Sequence, residues 1–373
     1  MDNGSKVDAM SNPRPHPGSE PLNARGITRP RTELCVAKVS EQDILDLIGP
    51  LLPQGENVEI GPGDDAAILH LPSSRLVITT DTMTEGQDFL RDCAPPYSIG
   101  HKAAVQNMAD IAAMGAQPMA LVVSLTLPAD LPLDWISQFA QGISQRAARD
   151  GASIVGGDLG AGPCLSITVT ATGALTHPAI TRSGAQAGDV LAIGGKALGR
   201  SAAGLAAILS GKPPAIAQPL IEVHHAPDPD LRLGYEVART GKVHAMMDLS
   251  DGLVRDTGRI ARASNVRVDL DPEALKADIH ELLPCARALL KDTCDPAALT
   301  ERARAMALDW VLHGGEEHLM LASFAQDGVP KGFRVIGRLI AADAHRGLRS
   351  GPWVTYGGAP IAGAGFDHFH QTG

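Results

Sequence analysis

Acidic residues recur through the chain in short motifs, most of them beside glycine or threonine: Gly63-Asp64-Asp65, Thr79-Thr80-Asp81, Asn107-Met108-Ala109-Asp110, Gly156-Gly157-Asp158, Asp248-Leu249-Ser250-Asp251 and Gly314-Gly315-Glu316-Glu317. Carboxylates gathered around one cleft repel one another unless hard cations sit among them, and hard cations with oxygen ligands usually accompany phosphate substrates. The pattern points to magnesium-dependent phosphoryl chemistry. Gly156-Gly157-Asp158 is its most suggestive unit, because glycines let backbone approach a phosphate while the acid holds a metal. Arg182, in Thr181-Arg182-Ser183-Gly184, can clamp phosphate oxygens with two parallel donors. Taken singly, these motifs also read as a solvated turn, a solvent-facing helix acid and a surface arginine; only their number argues against that.

Other chemistries lack their parts. No Gly-x-Ser-x-Gly is present, and no cysteine has a histidine partner that the sequence locates. His224-His225, His313 and His318 lack the i, i+4 spacing of a helical zinc pair and read as structural or exposed. The segment Gly194-Gly195-Lys196-Ala197-Leu198-Gly199-Arg200-Ser201 nearly spells a Walker A loop, but Arg200 stands where the mechanism needs a compact lysine. It reads better as a strand-to-helix turn, with a phosphate at the helix N-terminus as the functional variant.

The elements that must position these residues alternate between strand and helix. Leu76-Val77-Ile78 is a strand delivering Thr79, Thr80 and Asp81 at its end, where open α/β sheets build ligand crevices. Ile99 to Met114 is a helix with Ala103, Asn107 and Asp110 on one face. Met119 to Leu127 and Leu165 to Ala174 read as strands, Leu133 to Arg149 as a helix, and Ser153-Ile154-Val155 as a short strand ending in the Gly-Gly-Asp turn. After a break at His177-Pro178 a second series follows: a strand at Asp189 to Ile193, a helix from Ser201 to Leu209 and a strand ending at Met247-Asp248. It continues with a helix after Asp251-Gly252, a helical stretch near Pro296 to Leu312, and strands at Leu319 to Leu321 and Phe333 to Leu339. Residues 1–34, rich in Pro, Gly, Asn and Arg, read as a disordered extension. Order is expected to begin near Ser40-Glu41-Gln42-Asp43, a helix N-cap signature. The fold class is therefore α/β in two domains, residues 35–176 and 177–373.

Composition narrows the function. With 373 residues, 44% of them hydrophobic, the chain can bury a large core. A net charge of −10 and an aromatic content of 3% argue against a nucleic-acid surface, so any nucleotide partner needs metal ions and a few arginines for local positive charge. The five cysteines form no Cys-x-x-Cys pair, which suggests neither zinc nor disulfides. With no apolar run of about 18 residues and no signal core, cytoplasmic is the default, with no membrane partner.

Taken in order, the motifs resemble the thiamine-monophosphate kinase family, within the aminoimidazole-ribonucleotide-synthetase-like ATP-binding superfamily. The likeness runs from about residue 38 to the end. Gly63-Asp64-Asp65-Ala66-Ala67, Lys102 to Asn107 running into Asp110 to Ala116, Asp248-Leu249-Ser250-Asp251-Gly252-Leu253 and Gly365-Phe366-Asp367-His368-Phe369 carry it, together with the motifs at 79–82, 156–158 and 181–184. The resemblance implies two α/β domains with mixed sheets, and a homodimer whose N-terminal domains join through their sheets. It implies several Mg2+ ions held by Asp65, Thr80, Asp81, Asp110, Asp158, Asp248 and Asp251. ATP would contact Thr79, Thr80, Gly157, Asp158, Arg182 and Ser250, with Asp81, Asp158 and Arg182 catalytic. Glu316 and Phe366 would line the thiamine pocket, and Asp88 takes the place of a histidine that contacts the substrate in relatives. The implied reaction is transfer of the ATP γ-phosphoryl group to thiamine monophosphate, giving thiamine diphosphate. Alternatives are a catalytically weakened homologue that binds thiamine phosphate or nucleotide, and another ATP-dependent enzyme of the superfamily. Glu317, one methylene longer than the usual aspartate, is the second departure from the family pattern.

Overall fold

The computed structural model describes residues 34–195, 197–292, 295–342 and 352–361. The expected extension over residues 1–34, save Leu34, and the motif containing Phe366 lie outside them. Helix α1 (Glu41–Ile48) starts at Ser40, which forms a capping box with Asp43 as the sequence suggests. Two short strands, β1 (Val58–Ile60) and β2 (Ile68–Leu69), then pair antiparallel.

The first large sheet has the order β3-β6-β4-β5, built from β3 (Leu76–Thr84), β4 (Gln117–Leu127), β5 (Ser153–Ala161) and β6 (Ser166–Ala174). Strand β3 does not stop at Asp81 as expected. The β-branched Thr79, Thr80 and Thr82 around Asp81 keep the extended backbone to Thr84, so Asp81 sits within the strand. Likewise β5 passes straight through Gly156-Gly157-Asp158 to Ala161 instead of turning there. Two helices cover one face: α2 (Pro96–Ala113), entered through Pro95-Pro96, and α3 (Leu133–Arg149), whose bounds match the sequence reading. They cross closely because each supplies a glycine at the contact. A Cβ at Gly100 would strike the Phe139 carbonyl, and one at Gly142 would strike the Tyr97 carbonyl.

The second sheet contains β7 (Val190–Gly194), β8 (Val243–Asp248), β9 (Val266–Leu270), β10 (Met320–Phe324), β11 (Phe333–Ala341), β12 (Val354–Tyr356) and β13 (Ala359–Pro360), in the order β13-β12-β9-β11-β7-β10-β8. Its helices are α4 (Arg200–Leu209), α5 (Gln218–His225), α6 (Arg232–Ala238), α7 (Leu253–Ser264), α8 (Lys276–Leu290) and α9 (Leu299–His313). Of these elements, α5, α6, α8, β9, β12 and β13 were not anticipated. Pro284 inside α8 interrupts the pattern by which such a helix is read. The sheet is buried on both faces: Leu191, Ile193, Ala245, Met247 and Leu321 join one hydrophobic cluster, while their neighbours Ala192, Met246, Met320 and Ala322 join the cluster under the first sheet. Among the described residues no helix is long and apolar enough to cross a membrane.

Candidate active site

A cavity of about 700 Å³ opens between α2, the 86–94 loop, α4, the Asp248–Asp251 loop and the 313–318 loop. Strand β3 and helix α2 supply its first acids. Asp81 lies on the covered face of β3, and its backbone N–H donates to the Asn107 side-chain oxygen (3.1 Å), fixing the strand to α2. Asp110, one turn further along α2, accepts a hydrogen bond from the Thr79 hydroxyl (2.8 Å). The second sheet supplies the others, since β8 ends at Asp248 and the chain turns through Ser250 and Asp251 into α7. That turn is held by Asp256, whose carboxylate accepts the N–H groups of Ser250 (3.1 Å) and Asp251 (2.9 Å). Arg259 pairs with both Asp256 and Asp251.

The electrostatics reflect crowded negative charge. Burial, then the nearby Asp248 and Asp81 charges, raise Asp110 to about 6 against the Thr79 hydrogen bond. Asp81 is raised by burial and then by Asp248. His318 answers this charge: although burial opposes it, its bond to Asp248 (Nδ1 to Oδ2, 3.2 Å) keeps the ring protonated more readily than usual. The carboxylate oxygens are the donor type a hard cation takes. Among the described residues no three His, Cys, Asp or Glu side chains form a ready-made cage.

The other end of the cavity is built differently. Lys102 Nζ lies 2.6 Å from Glu316, which also meets His224 at 3.3 Å. Burial would raise Glu316, but Lys102, then His224 and His318, outweigh it and hold the carboxyl below its usual range. Burial, then the Lys102 charge, lowers His224 to about 4, and its Nδ1 lies 3.1 Å from the Ser201 hydroxyl. Glu316 and His318 have left-handed backbone (φ 62° and 53°), and their N–H groups donate to the Ser250 carbonyl (2.8 Å) and the Leu249 carbonyl (2.7 Å). The Gly-Gly-Glu-Glu-His segment is thereby tied to the Asp248 loop.

Of the residues expected from sequence, Asp81, Asp88, Asp110, Arg182, Asp248, Ser250, Asp251 and Glu316 all line this cavity, and Thr79 adjoins it through Asp110. Asp88 lines it with its carboxylate already engaged by the Thr84 N–H (2.8 Å), which closes the 84–88 turn. Thr80, Gly157, Asp158 and Asp65 are not among the lining residues. Strand register explains the first three. Thr82, Thr168, Ser124 and Asp158 are successive partners across β3, β6, β4 and β5, on the sheet face opposite Asp81. Thr80 shares that face. Gly157 is three strand steps from Asp81, about 14 Å. Its missing side chain has a local cause too, as a Cβ there would strike the Val123 carbonyl. Asp65 is exposed on the loop between β1 and β2.

Among the described residues of the near-Walker segment, the start of α4 is already taken. The carboxylate of Glu317 accepts the Ser201 N–H at 3.0 Å and so occupies the N-terminus of α4. This also gives the longer side chain at 317 a role, as it reaches the helix. Sequence reading missed Lys102, Gln106, His224 and His318 as cavity residues. Lys102, Gln106 and Asp110 at i, i+4 and i+8 on α2 were the available signal; the histidines had none, since their partners lie far away in sequence.

Fold and site together define a class. The family described as AIR synthase related protein, N-terminal domain, matches residues 63–175. Thiamine-monophosphate kinase of Mycobacterium tuberculosis is 40% identical over 309 residues, spanning 82% of this chain and 86% of the relative. The chain belongs to the thiamine-monophosphate kinase family. A crystal structure of thiamine-monophosphate kinase from Stenotrophomonas maltophilia K279a superposes with a TM-score of 0.67 at 28% identity, covering 86% of this chain and 98% of that one. AaThiL complexed with AMPPCP and TMP gives a TM-score of 0.67 at 26% identity, covering 90% and 99%.

Proposed function

We propose that the protein transfers the γ-phosphoryl group of ATP directly to the phosphate of thiamine monophosphate, releasing thiamine diphosphate and ADP. The observation that carries this reading is the meeting of Asp81, Asp110, Asp248 and Asp251 with Arg182 and Lys102 around one cavity. An acceptor phosphate is already an anionic nucleophile, so no general base is needed. Repulsion is the obstacle: two unit charges about 4 Å apart cost roughly 4 kcal/mol at an effective dielectric near 20. Bound Mg2+ supplies the countercharge that lets the two phosphates approach.

The chain's own groups do the rest. Asp81, Asp110 and Asp248 would hold the metal, with Thr79 orienting Asp110 and His318 orienting Asp248. Asp251 would join them by leaving Arg259, which keeps its second partner, Asp256. Arg182 would bind nucleotide phosphate through its guanidinium. Two copies would join through the uncovered face of the first sheet, a reading supported by exposed Ile78 and Val122 there. Asp158 and Thr80 would act from that paired face, and Asp65 from its loop. The reaction is assigned to the cytoplasm, where ATP and Mg2+ are supplied. The test is incubation of the protein with ATP, Mg2+ and thiamine monophosphate, following the diphosphate. Formation of product that stops when Mg2+ is chelated supports the reading. ATP turnover indifferent to thiamine monophosphate sinks it.

A further inference from the structure

A lysine ammonium is costly to bury unless charges and acceptors surround it, which is why most lysines stay exposed. Lys102 is 3% exposed. Its Nζ lies 2.6 Å from Glu316 and 3.5 Å from the Asp88 carbonyl, and among the described residues its third proton has no partner. It nevertheless lines the cavity. The side chain is thus held at the wall of a substrate-sized space with donor capacity to spare.

Its place in the cavity identifies what it meets. From Ser201, bonded into the His224–Glu316 cluster, α4 leads outward through Ala202, Leu205, Ile208 and Leu209, an apolar wall that shares the cavity with Phe89 and Leu90. Asp88, whose carbonyl Lys102 reaches, immediately precedes Phe89. In the other direction α2 leads from Lys102 through Gln106 to Asp110, about 12 Å along the helix, where the other acids gather. Lys102 therefore stands at the junction between an apolar compartment and an acidic one. A molecule with an organic ring at one end and a phosphate aimed at the acids puts the ester that joins them beside this ammonium.

Resting on the kinase reading above, we propose that Lys102 binds the phosphate of the acceptor, sharing its ammonium between that phosphate and Glu316. The resting ion pair then has a second use. When the acceptor arrives, Glu316 keeps the ammonium aimed at the phosphate instead of letting it turn toward the acids beyond. This assigns to Lys102 the discrimination between a phosphorylated acceptor and the same molecule without its phosphate.

The alternative is that Lys102 only neutralises Glu316, and two variants separate these roles. Lys102→Met removes the ammonium and leaves Glu316 buried without its main countercharge. Lys102→Met/Glu316→Gln removes both charges and keeps the site balanced. For each, and for the wild type, calorimetry gives the affinity for thiamine monophosphate and for thiamine, and steady-state assays give KM for the monophosphate and for ATP. The expected result in Lys102→Met is a KM for thiamine monophosphate raised at least tenfold, with that for ATP within twofold, since a charge-assisted hydrogen bond in a buried site has this scale. The preference for thiamine monophosphate over thiamine falls at least tenfold in both variants. A preference unchanged in the single variant, or restored in the double one, overturns the inference. The double variant stays readable where the single one folds poorly. Wild-type turnover of thiamine monophosphate is the control: with it, an unchanged preference removes the role of Lys102 alone; without it, the kinase reading falls and takes this inference with it.

Discussion

Glu317 offers the sharpest test of the electrostatics. Only 6% exposed, its carboxylate accepts the Ser201 N–H at 3.0 Å. Burial pushes it from an ordinary value near 4.5 up to about 7, against the pull of the Ser201 and Arg200 N–H groups. The folded protein therefore keeps this proton up to about pH 7, whereas the unfolded chain releases it near 4.5. Between those values the folded state binds more protons, so this group's contribution to stability is fully present below pH 4.5 and is lost as pH rises through 7. At 1.36 kcal/mol per pH unit, the loss is about 3 kcal/mol. Glu317→Gln keeps an oxygen for the α4 cap and has no charge at any pH. Urea unfolding of both proteins at pH 5, 6, 7 and 8 should show the variant gaining on the wild type by most of that amount between pH 5 and 7, then running parallel. A constant difference, or one that shrinks as pH rises, would mean that the carboxylate is ionised throughout and that the cap outweighs burial.

Further consequences follow from geometry. Asp81→Asn should abolish turnover yet leave the metal-free protein as stable or more so, because the variant relieves repulsion from Asp248; a kinase assay beside a melting curve checks both. Asp158→Asn, on the sheet face opposite the cavity, should abolish turnover only through the pairing of two copies proposed above; near-normal activity would leave Asp158 outside the reaction. Arg182→Ala should raise KM for ATP more than KM for the acceptor, and an unchanged value would return Arg182 to an ordinary surface role. Gly142→Ala drives a methyl into the Tyr97 carbonyl where α2 crosses α3. It should cost about 2 kcal/mol or more and lower Tm, with α2 displaced and activity reduced; a change below about 0.5 kcal/mol would show the crossing to be loose.

Much of this site was legible because its acids lie in short motifs bounded by turns and strand ends. Asp81, Asp110, Asp248 and Asp251 stood out from local pattern, Ser250 only through the family resemblance, and α3 was located to the residue. What sequence could not give was the face each side chain takes. Asp81 and Thr80 are adjacent in sequence and point to opposite sides of β3, and the register that sends Asp158 away from Asp81 depends on the partner strands β6 and β4. Reading Gly156-Gly157-Asp158 as a turn failed for a related reason. Glycine there answers to the crowding of a neighbouring strand, which local sequence does not reveal. Lys102 went unread because a lone lysine within a helix is usually solvated, and its countercharge lies 214 positions away at Glu316.

The 314–318 segment shows how much one short loop can couple. Left-handed backbone at Glu316 and His318 costs on the order of 1–3 kcal/mol each, so such a conformation persists only where surrounding bonds impose it. Here the two N–H groups are committed to the Ser250 and Leu249 carbonyls, and the side chains then diverge. Glu316 turns to Lys102 on α2 and His224 on α5, Glu317 to the start of α4, and His318 to Asp248 at the end of β8. A shift of this loop would move the acceptor-facing ion pair, the start of the apolar wall and one of the acids together. Binding at the Lys102 end and charge placement at the Asp248 end are thus mechanically linked, which is what a reaction needs when two anions must be brought together only after both are in place.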